Sequence, residues 1–255
     1  MAVAKTDVKV YLTGAVADGG AQADPDLSLG GFRSSTVINP VTLIDDVDGI
    51  TDADATITVD ATADFDATGY IWIDAEAIKY AGKTGVTFTG CTRAQFGTAA
   101  TAHDDNAMVR QFAALFDAIS GSEAAAGDSE YRCVCFKNEH GANSCLTAKA
   151  YSKLDTGNGE DDISFAVEVP AGGDTDGSVQ TVATESTAPS VGAGNVSAWS
   201  DATTYATGIG VNQGAHDENL DTGEIVMVWI RRVVSVGAGA AADEHSHVTL
   251  GFDTV

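Results

Sequence analysis

The amino-acid sequence predicts an all-β protein: a β-sandwich or jelly-roll-like main domain with an inserted small β-roll domain. Short runs that alternate apolar and polar residues recur along the 255 residues, separated by turn-forming residues. The 28 glycines are spread between these runs, as expected where many turns join short strands. No long apolar stripe with helical spacing interrupts this pattern.

The run 129–138 is predicted to be the central strand of the main domain. Its alternate residues Tyr131, Cys133 and Cys135 share one face, and the opposite face is also largely apolar. Apolar groups on both faces favour a strand that is covered on both sides. Residues 144–154 are predicted to return beside it as a hairpin partner after a turn-forming run.

The other segments of the main domain follow from the same alternation. The most apolar run, 225–230, is expected to end at Arg231, and 121–130 to form an acidic loop. Further strands are predicted at 7–13, 163–169, 205–211 and 245–252, a weak one at 178–183, and an edge connector at 27–38.

The inserted domain is predicted at 44–111, which leaves 1–43 plus 112–255 as the main domain. An apolar register resumes at 113–117, which indicates that 44–111 interrupts a continuous domain. Within the insertion, short strands are predicted at 56–59, 70–73, 77–80, 86–89 and 108–110, with hairpin turns at 74–76 and 82–85.

The charge excludes some classes of partner. The chain has 37 acidic residues against 13 Lys and Arg, a net charge of −24. Binding to nucleic acid requires cations that displace counterions, so neither DNA nor RNA is an expected partner. Anionic membranes are excluded for the same reason. The N-terminal residues lack an apolar segment, so no signal peptide is predicted, and no run reaches the ~20 apolar residues of a membrane span.

Five aspartates near the start of the insertion are the candidate metal ligands. They could gather a structural calcium ion between the two domains, since carboxylate oxygens are the ligands that calcium prefers. Turn chemistry explains them as well, because Asp bonds to its own backbone in turns. No cofactor is predicted, with a structural calcium ion at this place as the alternative. The five are Asp45, Asp46, Asp48, Asp52 and Asp54.

Three cysteines and one histidine have the residue types of a zinc site. If 144–154 is the hairpin partner, Cys135 lies opposite Cys145, with Cys133 and His140 nearby. Zinc binding, a cross-strand disulfide and buried core thiols all remain open. Weaker metal candidates are His245 with His247, and Asp174 with Asp176.

No catalytic signature is present in the sequence. It has neither a Gly-x-Ser-x-Gly elbow nor a His-Glu-x-x-His pair, and its many carboxylates single out no acid–base pair. An enzyme is therefore not predicted.

Two groups of motifs resemble proteins of tailed-bacteriophage virions. The passage 69–82, with Ile73, Glu76 and Tyr80, followed by Gly90-Cys-Thr-Arg93 and by Gly97-Thr98 with His103, resembles a small β-module recurrent in such proteins. Ala94 stands where that module usually has Gly. The second group resembles uncharacterised phage structural proteins that read continuously across the insertion; it comprises 11–14, 28–31, 115–117, 123–133, 137–138 and 228–232.

The resemblance implies a virion structural protein made in the host cytoplasm. We expect a head decoration (cement) protein on the outer capsid surface, bound to the major capsid protein as a trimer or another symmetric homo-oligomer. A tail, neck or baseplate component is the alternative, and a host-surface or glycan-binding adhesin a further one. Trp229, Ile230, Arg231 and Arg232 are the candidate partner interface, because aromatic and Arg side chains are enriched at interfaces. Core packing of Trp229 remains the competing interpretation.

Overall fold

The computed structural model describes residues 2–111, 115–155, 161–168, 179–192, 196–211, 219–238 and 246–254. In this part of the chain the regular structure consists of antiparallel strands, one six-residue α-helix and short 3-10 helices at Lys5–Asp7, Pro25–Leu27 and Tyr205–Thr207. The all-β prediction is confirmed. The jelly-roll connectivity remains a prediction.

The strands are numbered in chain order, and the one α-helix, α1, spans Gly121–Ala126. The strands are β1 Val8–Ala15, β2 Phe32–Val37, β3 Val41–Leu43, β4 Thr56–Thr58, β5 Gly69–Ile73, β6 Glu76–Tyr80, β7 Gly82–Lys83, β8 Thr87–Thr89, β9 Thr92–Gln95, β10 Met108–Arg110, β11 Asp128–Asn138, β12 Leu146–Asp155, β13 Asp161–Val167, β14 Ile209–Gly210, β15 Ile225–Val234 and β16 Ser246–Asp253.

The chain divides into two compact units, Met1–Thr36 with Ala114–Val255 and Val37–Ala113. We call them the main unit and the inserted unit. The inserted unit begins earlier than the predicted 44–111, because β3 pairs with β10 and therefore belongs to it.

The central strand of the main unit is β11, as predicted. It is third in a five-stranded sheet of order β13-β15-β11-β1-β2, and a second sheet has the order β14-β12-β16. Every residue from Glu130 to Phe136 is buried, so both faces of the strand are covered. A strand without glycine or proline and with apolar residues on both faces is suited to this position.

The predicted hairpin between β11 and 144–154 is wrong. β11 pairs with β1 and β15, whereas β12 pairs with β14 and β16 in the other sheet. The side-chain amide of Asn138 donates to the carbonyls of Asn143 and Leu220, and Cys145 forms a bridge with Leu220. These bonds direct the segment after β11 away from the first sheet, at the position where the sequence predicted a tight turn.

Two other predictions at the ends of strands are corrected. β15 does not end at Arg231, because Arg231 and Arg232 pair with β11 and β13 and the strand continues to Val234. The predicted acidic loop 121–130 contains α1, whose capping box joins Ser120 and Glu123. The two side chains satisfy backbone N–H groups at the start of the helix.

Two irregular segments complete the edge of β11 where β1 diverges. The amide of Cys133 donates to the carbonyl of Ser28 at 2.7 Å, and the amide of Tyr131 donates to that of Glu185 at 2.8 Å. Gly30 allows this approach, because a Cβ there would lie 2.0 Å from the carbonyl oxygen of Gln180 and 2.9 Å from the Trp229 ring. No other residue fits there without displacing the backbone.

The inserted unit contains the sheets β3-β10-β5-β6-β9 and β4-β8-β7. The predicted strands and the predicted hairpin turn at 74–76 are present. The turn predicted at 82–85 is displaced, because Gly82–Lys83 form β7 and pair with β8. The strands β3, β7 and β9 were not predicted. Alternation places Ile71, Ile73 and Ile78 on the inner face of the larger sheet, and Tyr80 and Phe88 pack edge to face beside them. This unit therefore has a hydrophobic core of its own.

Candidate functional site

Three ionisable residues of the passage that resembles a phage-virion module meet inside the inserted unit. Glu76 begins β6 after the Asp74 turn, Arg93 lies in β9, and His103 lies in the loop before β10. Both carboxylate oxygens of Glu76 are occupied, and the side chain is 1% exposed. The turn at Asp74 has a positive φ of 52°, a conformation that Asp tolerates better than most residues.

Five hydrogen bonds converge on the Glu76 carboxylate. Arg93 donates through Nε to Oε1 at 2.8 Å and through Nη2 to Oε2 at 2.7 Å. The backbone amides of Ala94 and Thr101 donate at 3.1 and 3.2 Å. His103 Nε2 lies 2.9 Å from Oε2, so it donates the fifth bond, because a carboxylate only accepts. We call this arrangement the Glu76 network.

These partners determine the protonation of Glu76. Burial opposes its ionisation, but the hydrogen bonds from Arg93, His103 and the two backbone amides outweigh burial and lower its pKa to about 2. Glu76 is therefore ionised across the physiological pH range.

The Glu76 network contains an acid, a base and a guanidinium, but its geometry is that of a structural tie. All five donors point at a carboxylate that solvent does not reach, and Arg93 also donates to the carbonyls of Thr51 and Thr101. The network connects β6, β9 and the loop before β10. Sequence spacing gave no sign of this convergence, because 17 and 27 residues separate Glu76 from Arg93 and His103.

Two further ionic clusters lie in the main unit, around Arg132 and Arg232. The buried Arg132 bonds Asp26 at 3.0 Å and Glu185 at 2.6 Å. Arg232 bonds Glu130 and, through its Nη1, the backbone carbonyl of Asp117. Both guanidinium groups lie about 5 Å from the ring of Phe116, where a cation is attracted to the π face.

The four candidate interface residues are engaged within the chain. Trp229 is fully buried in β15, and Ile230 is buried beside it. Arg231 donates to Ser164 Oγ at 2.9 Å and lies 5.0 Å from the Trp199 ring centroid. Arg232 is bonded to Glu130. Two of the four residues therefore belong to the core, and the two arginines make polar contacts beside it. The core interpretation of Trp229 accounts for its position.

Glu168 is a buried carboxyl group that the sequence did not identify. Its Oε1 accepts from the amide of Gln180 at 3.2 Å, and Oε2 is buried with no hydrogen-bond partner among the described residues. Burial is the largest effect and raises the pKa of Glu168 to about 7, against the weaker opposing effects of the Gln180 backbone amide and of the nearby Trp229 and Gln180 side chains.

The five candidate calcium ligands take part in local turns. Asp46 Oδ1 accepts from the amide of Asp48 at 3.2 Å, and Asp54 Oδ2 accepts from both the amide and the hydroxyl of Thr51. No group of three or more His, Cys, Asp or Glu among the described residues is arranged to hold a metal ion. Asp45 and Asp52 are exposed. The turn interpretation therefore accounts for the bonds of Asp46, Asp48 and Asp54.

The cysteines are free, buried thiols. Burial raises the pKa of the thiols of Cys133, Cys135 and Cys145, which makes them poor nucleophiles. His140 Nδ1 accepts from the amides of Ala142 and Asn143, so it stabilises a turn. The disulfide alternative is wrong.

The other metal candidates lie outside the described residues: Asp174, Asp176, His245 and the side chain of His247.

An aromatic and cationic surface lies on the outer face of the larger sheet of the inserted unit. Tyr70 packs against Phe96 at 4.7 Å, and Phe96 stacks with Trp72 at 6.4 Å. Lys79 is the cross-strand partner of Tyr70, and its Nζ lies 6.0 Å from the Tyr70 ring. We call Tyr70, Phe96 and Lys79 the Tyr70 face.

Comparison of the chain with protein-family models, curated proteins and solved structures finds no match. Among the described residues, no helix has the length and apolar character needed to cross a membrane.

Proposed function

We propose that this chain is a non-enzymatic structural protein of a tailed-phage virion. Within that class we propose a decoration protein on the outer surface of the major capsid lattice. The carrying observation is that Glu76, Arg93 and His103, three motif residues of the virion-module resemblance, form one buried network. The resemblance is better supported when the ionisable residues of the motif contact one another than when they lie far apart in the fold.

The chemistry of the buried groups favours a scaffold over an enzyme. The Glu76 carboxylate has its two oxygens occupied by five donors, and the thiols are buried with raised pKa values. Catalysis needs groups that reach a substrate in the correct protonation state. The ionic groups described above instead connect strands to loops.

The net charge of −24 favours a position on the outside of the particle. Packaged DNA repels an acidic chain, whereas a protein lattice can accept one through apolar and hydrogen-bonded contacts. The proposed partners are the major capsid protein and other copies of this chain.

Immunogold electron microscopy of virions that carry the gene tests the location. Antibody raised against the purified chain is expected to label heads at many sites, and preimmune serum is expected to label none. Label confined to tails, necks or baseplates would replace decoration by the tail alternative. Particles without label, together with binding of the purified chain to host cells or glycans, would establish the adhesin alternative instead.

Binding to purified heads tests the proposed partner directly. Fluorescently labelled chain is mixed with expanded heads that lack it and sedimented. We expect saturable recovery in the pellet with a fixed number of copies per head, and no recovery with DNA alone. Failure to sediment with heads at micromolar concentration would overturn the decoration proposal.

A further inference from the structure

An exposed valine stands between two aspartates in a braced loop of the inserted unit. Val47 is 88% exposed and is flanked by Asp46 and Asp48. A side chain this exposed makes almost no contact with its own chain. A single exposed apolar residue is ordinary. At the tip of an ordered turn, however, its side chain is already positioned to contact a partner.

The loop that carries Val47 is held at both ends. Ile44 and Ile50 are buried on either side and form bridges with Val59 and His103. Within the turn, the amide of Gly49 donates to the carbonyl of Asp46 at 2.7 Å. Because these bonds order the loop in the single chain, little conformational entropy remains to be lost on binding.

The Tyr70 face has the complementary chemistry. Tyr70 is 37% exposed, rests on Phe96 and has the exposed Lys79 directly across the strand pair. The face thus offers an aromatic surface for a methyl group and an ammonium group for a carboxylate. The chain has only 13 Lys and Arg against 37 acids, so Lys79 offers an acidic loop such as that around Val47 a charge of opposite sign.

We propose that the Val47 loop of one copy docks on the Tyr70 face of a second copy. Val47 packs on the Tyr70 ring, and Asp48 pairs with Lys79. The two surfaces differ, so the contact is heterologous and generates a closed ring when the rotation between copies closes. The inference rests on the self-association in the proposed function and deepens it, because it assigns the residues of that contact.

The test measures the mass of the full-length chain by analytical ultracentrifugation across protein concentration at low and high salt. We expect reversible association that weakens with salt, because charge pairs are screened. Val47→Ser is expected to weaken association about tenfold, the loss expected on removing one buried Val side chain. Val86→Ser, which changes another exposed valine of the same unit, is the matched control and is expected to leave association unchanged.

A charge exchange tests the pairing itself. Lys79→Glu and Asp48→Lys are each expected to weaken self-association severalfold, and an equimolar mixture of the two variants is expected to recover mixed association. Circular dichroism that is unchanged in each variant shows that the fold is retained.

Three outcomes overturn the inference. The first is a chain that stays monomeric at all concentrations, and the second is association that Val47→Ser and Lys79→Glu leave intact. The third is binding of an acidic polysaccharide, such as polygalacturonate, that Lys79→Glu abolishes without any change in mass, which would assign the face to a glycan. A monomeric chain that still sediments with heads would remove this inference and leave the proposed function standing.

Discussion

Glu76 in the inserted unit and Glu168 in the main unit are both buried carboxyl groups, yet their pKa values lie on opposite sides of the ordinary value. Glu76 accepts five hydrogen bonds and has a pKa of about 2. Glu168 accepts one from Gln180 and has a pKa of about 7. Burial acts in the same direction on both, so the difference comes from the donors that surround each group.

This difference gives the two carboxyl groups opposite effects on stability as the pH changes. The folded pKa of Glu76 is below its unfolded value of 4.5, so its contribution to stability is present above pH 4.5 and is lost as the pH falls toward 2. The folded pKa of Glu168 is above 4.5, so stability at this site is greatest below pH 4.5 and is lost as the pH rises through 7.

The largest expected effect is the loss of the Glu76 network. Glu76→Ala leaves Arg93 and His103 without their buried carboxylate, which costs about 3–5 kcal/mol. Hydrogen exchange is expected to show lost protection in 37–113. Asp74→Asn is the matched control, because Asp74 contacts the same histidine but is 70% exposed. Equal loss in both variants would contradict the role assigned to Glu76.

The second effect has the opposite sign. Glu168→Gln removes a charge that is buried with one hydrogen bond, and is expected to stabilise the main unit by about 1–3 kcal/mol at pH 8. At pH 4 the wild-type group is already neutral, so the gain is expected to vanish there. Urea denaturation at the two pH values measures it, and a gain that is independent of pH would count against the assigned pKa.

A smaller stabilisation is expected at Ala94, where the phage-virion module that the sequence resembles usually has Gly. Ala94 has a φ of 57°, a left-handed conformation that disfavours a Cβ. Ala94→Gly is expected to stabilise the inserted unit by about 0.5–1 kcal/mol. Ala99→Gly changes an exposed alanine without a positive φ in the loop that follows β9, and is expected to destabilise slightly. A destabilised Ala94→Gly variant would show that the backbone strain is absent.

The smallest expected effect is that of a chelator. Because the bonds of Asp46, Asp48 and Asp54 are turn bonds, EDTA is expected to leave the midpoint of thermal unfolding unchanged. A fall of several degrees that calcium reverses would restore the calcium interpretation of the five aspartates.

The predictable part of the fold was local. Alternation identified the central strand, and the turn between β5 and β6 followed from Asp74 at the correct position. The pairing of β12 was missed because it depends on the contacts of Asn138 with Leu220, which is 82 residues away. The glycines and acidic residues of 121–130 predict a loop. The capping pair Ser120 and Glu123, which indicates the start of a helix, is the weaker signal in the sequence.

The site residues were harder to predict for the same reason. The sequence indicated a candidate calcium site in an aspartate-rich segment and a candidate interface in the run 229–232. In the structure the aspartates make turn bonds, and the run lies in a core strand. The Glu76 network is assembled from segments 17 to 27 residues apart, and its role follows from the geometry alone. The sequence around Glu168 has no local pattern that predicts the burial of its carboxyl group.

The account is tested most directly by NMR titration of the side-chain carboxyl carbons of Glu76 and Glu168 in the intact chain. It predicts that Glu76 titrates near pH 2 and Glu168 near pH 7, so that the two curves are separated by several pH units. Two curves with midpoints near the ordinary 4.5 would contradict it, because neither the network around Glu76 nor the burial of Glu168 would then exist in solution.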